Sequence, residues 1–168
     1  SLAASYSIDA GSRGPGTIRI DQGATASSDF LQIANNTGGT ATVTVAGSGS
    51  SLTSRIAVVG LLAEGNVRVE DGGQLTTTGN AFFGANSGFI GRTTVTGAGA
   101  LWKSTGNIIL GLSGEGQLVI ENGGEVDASL LTLGYGSDGF GQATVRGTAA
   151  SRGILTAGVI TTDSGTSK

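Results

Sequence analysis

A repeated stretch in the C-terminal half constrains this chain more than any other feature. The stretch from Gly116 to Gly141 reads GQLVIENGGEVDASLLTLGYGSDGFG, and its order of apolar, polar and glycine positions recurs from Gly65 and, more loosely, from Gly16. The copies begin 49 and 51 residues apart. A fixed period of about 20 to 50 residues is typical of solenoids, in which each repeat packs only on its neighbours. The sequence therefore predicts a stack of repeats.

Each copy divides into two turns of about 25 residues. Equivalent apolar residues recur 24 to 26 residues apart; they are Ile20, Val45, Val69, Val95, Ile120 and Val145. The segments around them are short, aliphatic or β-branched and closed by glycine or asparagine, and helical periodicity is absent from the sequence. The pattern predicts an all-β chain that forms a right-handed single-stranded parallel β-helix, a β-solenoid, of about six to seven turns.

The whole chain, residues 1–168, is predicted to be one β-helix. Residues 1–15 are predicted to form part of a preceding turn, and residues 161–168 a polar tail. Three two-turn repeats lie between them; they span residues 16–64, 65–115 and 116–160. Glycine makes up 32 of the 168 residues, without a three-residue period and with one proline, which excludes collagen and favours a chain with many bends.

Strand alternation predicts which side chains face outward. In Val67-Arg68-Val69-Glu70, the valines are predicted to face the core and Arg68 and Glu70 the solvent. The acids of successive repeats are separated by an intervening turn; the predicted column is Asp21, Ala46, Glu70, Thr96, Glu121 and Arg146. This order holds like charges roughly 10 Å apart, about one Debye length at physiological salt, so their repulsion is predicted to be mild.

Three residues are candidates for a surface contact. Arg68 and Glu70 are candidates because they face outward. Trp102 follows Leu101, which is interpreted as facing inward, so Trp102 is predicted to be partly exposed or to lie at a corner. No catalytic, cofactor-binding or metal-binding residue is predicted.

Composition excludes several kinds of function. The net charge is −3 with two lysines, so no basic patch is available to neutralise the phosphates of a nucleic acid. Cysteine and histidine are absent, which removes disulfides, thiolate metal sites and the commonest proton shuttle. A calcium ion between glycine-rich turns would need a recurring aspartate. Asp138 is one such residue, but the equivalent turns carry asparagine, so calcium binding at Asp138 stays open.

An enzyme is the main alternative, since β-helices also include carbohydrate-active enzymes and phage tail-spikes. Glycoside cleavage needs two carboxylates about 5 to 9.5 Å apart in a groove. Glu121 and Glu125 come nearest in sequence, but their bend motif recurs in every unit, which favours a structural role. The chain is therefore predicted not to be an enzyme, and a groove with two carboxylates would favour the alternative.

The repeats resemble the passenger domains of bacterial autotransporters (type V secretion). Those domains carry repeats of the form G-x-L-x-I-x-N-G-G-x-V and V-x-G-x-G-S-x-W. The matching segments here are Gly116-Gln-Leu-Val-Ile-Glu-Asn-Gly-Gly-Glu-Val126 and Val95-Thr-Gly-Ala-Gly-Ala-Leu-Trp102. The resemblance covers roughly residues 14 to 160. The segment Thr148-Ala-Ala-Ser-Arg152 lacks the second glycine and the tryptophan, so its bend is predicted to differ.

The resemblance implies a rod that is displayed on the bacterial cell surface or secreted. It also implies a role in adhesion, aggregation or host contact, with a host-cell surface, a matrix component or a second copy as partner. The signal sequence and the C-terminal β-barrel that would anchor such a protein are missing, so the sequence is predicted to be an excised passenger fragment that does not itself insert into a membrane. Unpaired strand edges at both ends of the rod predict end-to-end association at high concentration.

Overall fold

The computed structural model describes residues 2–3 and 6–162, and this part of the chain contains fifteen strands and no helix. The strands are β1 (Leu2–Ala3), β2 (Ser7–Ala10), β3 (Gly16–Ile20), β4 (Thr25–Ile33), β5 (Ala41–Ala46), β6 (Ser51–Val59), β7 (Gly65–Glu70), β8 (Gln74–Thr77), β9 (Ala81–Phe83), β10 (Ile90–Thr96), β11 (Leu101–Leu110), β12 (Glu115–Glu121), β13 (Glu125–Leu133), β14 (Phe140–Val145) and β15 (Ile154–Thr162).

The strands coil into a β-solenoid of about six turns. A six-stranded sheet has the order β14-β12-β10-β7-β5-β3, and the other nine strands form a second sheet. Every pairing between these strands is parallel. Each turn contributes one strand to the six-stranded sheet and then, after a bend, a longer strand or a pair of strands to the nine-stranded one. The predicted all-β solenoid is confirmed.

The registers align the apolar residues that set the period. Ile20 pairs with Val45, Val45 with Val69, and Val69 with Val95. The same column continues through Ile120 to Val145. Val45, Val69 and Val95 are fully buried. A continuous core therefore runs along the rod, and each turn buries its apolar face on the turns above and below it.

Two kinds of bend alternate between the sheets. In the first turn of each repeat the bend centres on two residues with positive φ, such as Asp71 at 48° followed by Gly72 at 87°. Positive φ at both positions is the type I′ geometry, in which asparagine or aspartate before glycine is favoured. In the second turn the bend is one residue longer and has a glycine-x-glycine sequence, as at Gly97 and Gly99.

The bend of the last described turn differs, as the sequence predicts. Gly147 and Arg152 form an antiparallel bridge, and the Thr148 amide donates a 2.9 Å hydrogen bond to the Ser151 carbonyl. This bend spans residues 146–153 and so is longer than the others.

The prediction for Trp102 is wrong. Trp102 is fully buried in the column formed with Leu75 and Val126. Its indole Nε1 donates a 3.2 Å hydrogen bond to the Thr77 hydroxyl, and its ring centroid lies 5.5 Å from that of Phe83. Leu101 faces outward instead. The bend before β11 is one residue longer than the bend before β8, and this extra residue reverses which positions of the next strand face inward.

One of the buried hydroxyls, that of Thr93, lacks a hydrogen-bond partner among the described residues. Thr93 lies between Val67 and Leu118 in an inward column and is 1% exposed. A buried polar group without a partner costs about 1–3 kcal/mol of stability.

Thr93→Val is therefore expected to raise the free energy of unfolding by about 1 kcal/mol, since valine keeps the branched shape and removes the hydroxyl. Thermal unfolding followed by circular dichroism should show a rise in the melting temperature of about 2–4 °C. Thr94→Val is the matched control, because Thr94 faces outward on the same strand. Equal shifts in the two variants would contradict the assignment of the gain to the buried hydroxyl.

Candidate interaction surface

The outer side of the six-stranded sheet carries many polar and charged side chains. We call it the ladder face. It consists of three columns of outward side chains. Two follow the strand registers throughout; they are Thr17-Thr42-Asn66-Arg92-Gln117-Gln142 and Arg19-Thr44-Arg68-Thr94-Val119-Thr144. The third is Ala46-Glu70-Thr96-Glu121, continued at its two ends by Asp21 and Arg146, which directly follow β3 and β14. Charged residues are interspersed with uncharged ones in these columns, and the face carries both signs of charge.

The ladder face contains two of the three predicted contact residues. Arg68 and Glu70 lie side by side on β7, where the guanidinium Nε is 2.5 Å from the carboxylate Oε1. Arg19 and Asp21 form the same pair two turns below, at 2.6 Å. Exposed pairs of this kind contribute about 0–1 kcal/mol. Their main effect is to fix the orientation of two charged groups on the surface.

The third repeat obtains the same pairing differently. Val119 occupies the position that Arg68 has in the second repeat. The partner of Glu121 is instead Arg146 from the turn above, whose Nε lies 2.9 Å from Oε2 of Glu121. Thr96 pairs in register with both Glu70 and Glu121, so one turn intervenes and the two carboxylates lie two turns apart. The predicted separation of the acids is therefore confirmed.

Thr96→Glu is expected to lower the free energy of unfolding by about 1 kcal/mol at low salt, because it places three carboxylates on successive turns. The loss should shrink at ~1 M salt, where the Debye length is about 3 Å. Thr96→Gln is the control, since both variants remove the 3.3 Å hydrogen bond that Asn122 donates to the Thr96 hydroxyl. If the two variants unfolded alike at low salt, the charge order of this column would have no energetic role.

A second feature is a groove along one corner of the rod, which we call the corner groove. The corner loops that lead into the six-stranded sheet alternate in length. Counted to include the first residue of the strand that follows, loops 85–90 and 135–140 have six residues, and loop 112–115 between them has four. The corner groove has a volume of about 270 Å³. Its lining comes from all three loops and consists of Ser87, Gly88, Phe89, Ile90, Ser113, Gly114, Glu115, Asp138 and Phe140.

Backbone hydrogen bonds fix the shape of the corner groove. The Glu115 amide donates to the Phe89 carbonyl at 3.0 Å, and the Phe140 amide donates to the Gly114 carbonyl at 2.8 Å. A Cβ at Gly114 would lie 2.3 Å from the Asn86 carbonyl oxygen, so only glycine fits there. The three loops are thus held on one another, and the groove is preformed.

The corner groove contains two carboxylates, those of Glu115 and Asp138. Gln117 donates a hydrogen bond from Nε2 to Oε1 of Glu115. Within residues 2–3 and 6–162, no three carboxylates come together as they would around a metal ion. In the equivalent loops, Asn36 and Asn86 donate to backbone carbonyls of the turn below at 2.8 and 2.9 Å. The asparagines therefore link successive turns.

The chain is similar to two known bacterial proteins. It is 35% identical over 113 residues to the adhesin BmaC autotransporter of Brucella suis biovar 1 (strain 1330). The matched segment is 65% of this chain and 3% of the adhesin. The resemblance to autotransporter passenger repeats is confirmed. The second relative is the uncharacterized lipoprotein YdeK of Escherichia coli (strain K12), 30% identical over 148 residues, which is 84% of this chain and 11% of the lipoprotein.

This autotransporter-like solenoid therefore spans a small part of the length of the relatives it matches. No protein-family model matches the chain, and no solved structure matches it. The described residues include no helix that is long and apolar enough to cross a membrane.

Proposed function

We propose that this chain is a structural and adhesive passenger segment of a secreted or surface-displayed bacterial autotransporter. It would act in cell adhesion, aggregation or host contact. The observation that carries the proposal is the match of 65% of the chain to an autotransporter adhesin, made by a chain that folds as a regular β-solenoid. The similarity to a lipoprotein supports a place at the cell surface or outside the cell.

The physical properties of the rod suit this role. Its six turns extend about 29 Å at about 4.8 Å each. The turns are joined by backbone hydrogen bonds, so a long array of them is stable without cysteine and can hold a binding surface away from a membrane. The ladder face, with its oriented Arg68–Glu70 pair, is the surface that we assign to contact with a host-cell or matrix component.

The proposal is tested by adhesion of the purified chain. Beads coated with the chain should bind cultured epithelial cells, or surfaces coated with matrix proteins, more strongly than albumin-coated beads do. The double variant Arg68→Ala/Glu70→Ala should bind less, and Tyr6→Ala, an exposed aromatic on the N-terminal side, should bind like the wild type. Binding no stronger than that of albumin on every surface would overturn the adhesive role.

A carbohydrate-active enzyme is the second candidate, and the observation that favours it is the presence of Glu115 and Asp138 in one groove. Incubation with neutral polysaccharides, followed by a reducing-end assay, tests it. Release of reducing ends by the wild type, abolished in Glu115→Gln, would establish the enzyme. We expect no release, because a non-enzymatic structural role agrees better with an adhesin-like relative.

A further inference from the structure

The corner groove exposes aromatic rings that folding does not require. Phe89 and Phe140 both line the groove. Phe89 is half-buried on an interior turn, and Phe140 begins β14, the edge strand of the six-stranded sheet. In the first repeat the equivalent six-residue loop, 35–40, carries Gly39 and Thr40 at the two corresponding positions. A corner loop of this length therefore closes without aromatic residues. The phenylalanines of the later loops are available to a ligand.

The polar groups between the rings are hydrogen-bond acceptors and small hydroxyls. Glu115 and Asp138 offer carboxylate oxygens, and Ser87 and Ser113 offer hydroxyl groups. Concave sites that combine aromatic walls with a few convergent polar groups are typical binding sites for small ligands. Carboxylates accept hydrogen bonds from the hydroxyl groups of a sugar, and an aromatic ring packs against the C–H face of a sugar ring.

The charge of the corner groove selects among saccharides. Of the residues that the structure describes, neither a lysine nor an arginine lines it, whereas two carboxylates do. A sulfated, phosphorylated or carboxylated glycan would meet two carboxylates with no cation among the lining residues to offset them. An uncharged saccharide meets no such repulsion.

We propose that the corner groove binds a neutral oligosaccharide. This inference rests on the proposed adhesive function and names the ligand chemistry of one surface of the rod. The ligand lies against Phe89 and Phe140 and donates its hydroxyl groups to Glu115 and Asp138. Because loops 85–90, 112–115 and 135–140 are held by backbone hydrogen bonds, binding requires little rearrangement of the protein.

Titration of the full chain with soluble probes tests the proposal. The probes are neutral tetrasaccharides, namely maltotetraose, cellotetraose and N-acetylchitotetraose, with a heparin tetrasaccharide and tetralysine as charged comparisons. Binding is measured by calorimetry and by shifts of amide resonances in NMR spectra. At least one neutral probe should bind, with shifts confined to the three loops, and the heparin probe should not bind.

Variants locate the site. Phe140→Ala is expected to weaken binding of the neutral probe about tenfold, as the loss of a dominant aromatic contact does. Asp138→Asn should weaken it less, and Tyr6→Ala, which removes an exposed aromatic outside the groove, should leave it unchanged. Circular dichroism spectra of all variants should match that of the wild type, since none of these residues lies in the core.

Three results would overturn the proposal. They are absence of binding by every neutral probe at millimolar concentration, equal binding by Phe140→Ala and the wild type, and binding of tetralysine or heparin alone. The tetralysine result would assign the groove to a basic peptide. If coated beads still adhered to cells while the neutral probes failed, the groove inference would fall and the proposed adhesive function would stand.

Discussion

Replacing Trp102 with alanine is expected to lower the free energy of unfolding by about 3–5 kcal/mol, as truncation of a buried aromatic residue does. The indole is the largest fully buried side chain and packs between Leu75 and Val126 of the neighbouring turns. Its removal leaves a cavity that spans the interface of three turns, and rigid parallel strands cannot collapse to fill it. Thermal unfolding followed by circular dichroism should show a fall in melting temperature of about 2–4 °C per kcal/mol.

Two further variants separate packing from hydrogen bonding. Trp102→Phe keeps an aromatic ring but removes the indole N–H. Its loss in free energy of unfolding should therefore be well below that of Trp102→Ala. Thr77→Val leaves the indole N–H buried without an acceptor and is expected to cost about 1–3 kcal/mol. An alanine variant that unfolds at the wild-type temperature would contradict the burial of Trp102.

The core columns were predictable because the β-solenoid repeats them. A period of 24 to 26 residues between Ile20, Val45 and Val69 has one simple structural cause, the stacking of one turn on the next. Alternation within each short strand then places Arg68 and Glu70 outside. The structure adds their salt bridge, while their role in binding stays a prediction.

The orientation of Trp102 was not predictable from alternation alone. Four residues separate Val69 from Gln74, and five separate Val95 from Leu101. A difference of one residue in a bend reverses which residue of the next strand faces inward, and the sequence does not state how a bend distributes its residues. The strand register shows that Trp102 faces inward, because it pairs Trp102 with Leu75 and Val126, which are buried. The sequence alone does not give that register.

The corner groove was missed for a related reason. Its residues come from three turns, and the one that the sequence singles out, Asp138, is a candidate there for calcium alone. A signal was nevertheless present, since the glycines at the ends of these loops are separated alternately by six and four residues, as Gly84 from Gly91 and Gly111 from Gly116. In a stack, loops of alternating length must leave a recess above each shorter one.

The glycine pairs at these corners are expected to be the least replaceable residues of the core. Gly111 has a φ of 76°, and a Cβ added at Gly116 would lie 2.2 Å from the Gly111 nitrogen and 2.5 Å from the Leu110 Cα. Side chains do not approach backbone atoms this closely, and parallel strands on both sides prevent β12 from moving. Gly116→Ala is therefore expected to cost about 3 kcal/mol, the upper range for an overpacked core.

Two alanine variants at open positions make the test specific. At Gly14 a Cβ meets nothing within 4 Å, so Gly14→Ala should leave the melting temperature unchanged. Gly23 is equally open but has a φ of 77°, so Gly23→Ala measures the cost of left-handed backbone alone, about 1–2 kcal/mol. The order of stability should be Gly14→Ala, then Gly23→Ala, then Gly116→Ala. The structure predicts that Gly116→Ala is the less stable of the two because the added Cβ clashes with backbone atoms. If Gly116→Ala were as stable as Gly23→Ala, close backbone packing would not be the reason for glycine at this corner.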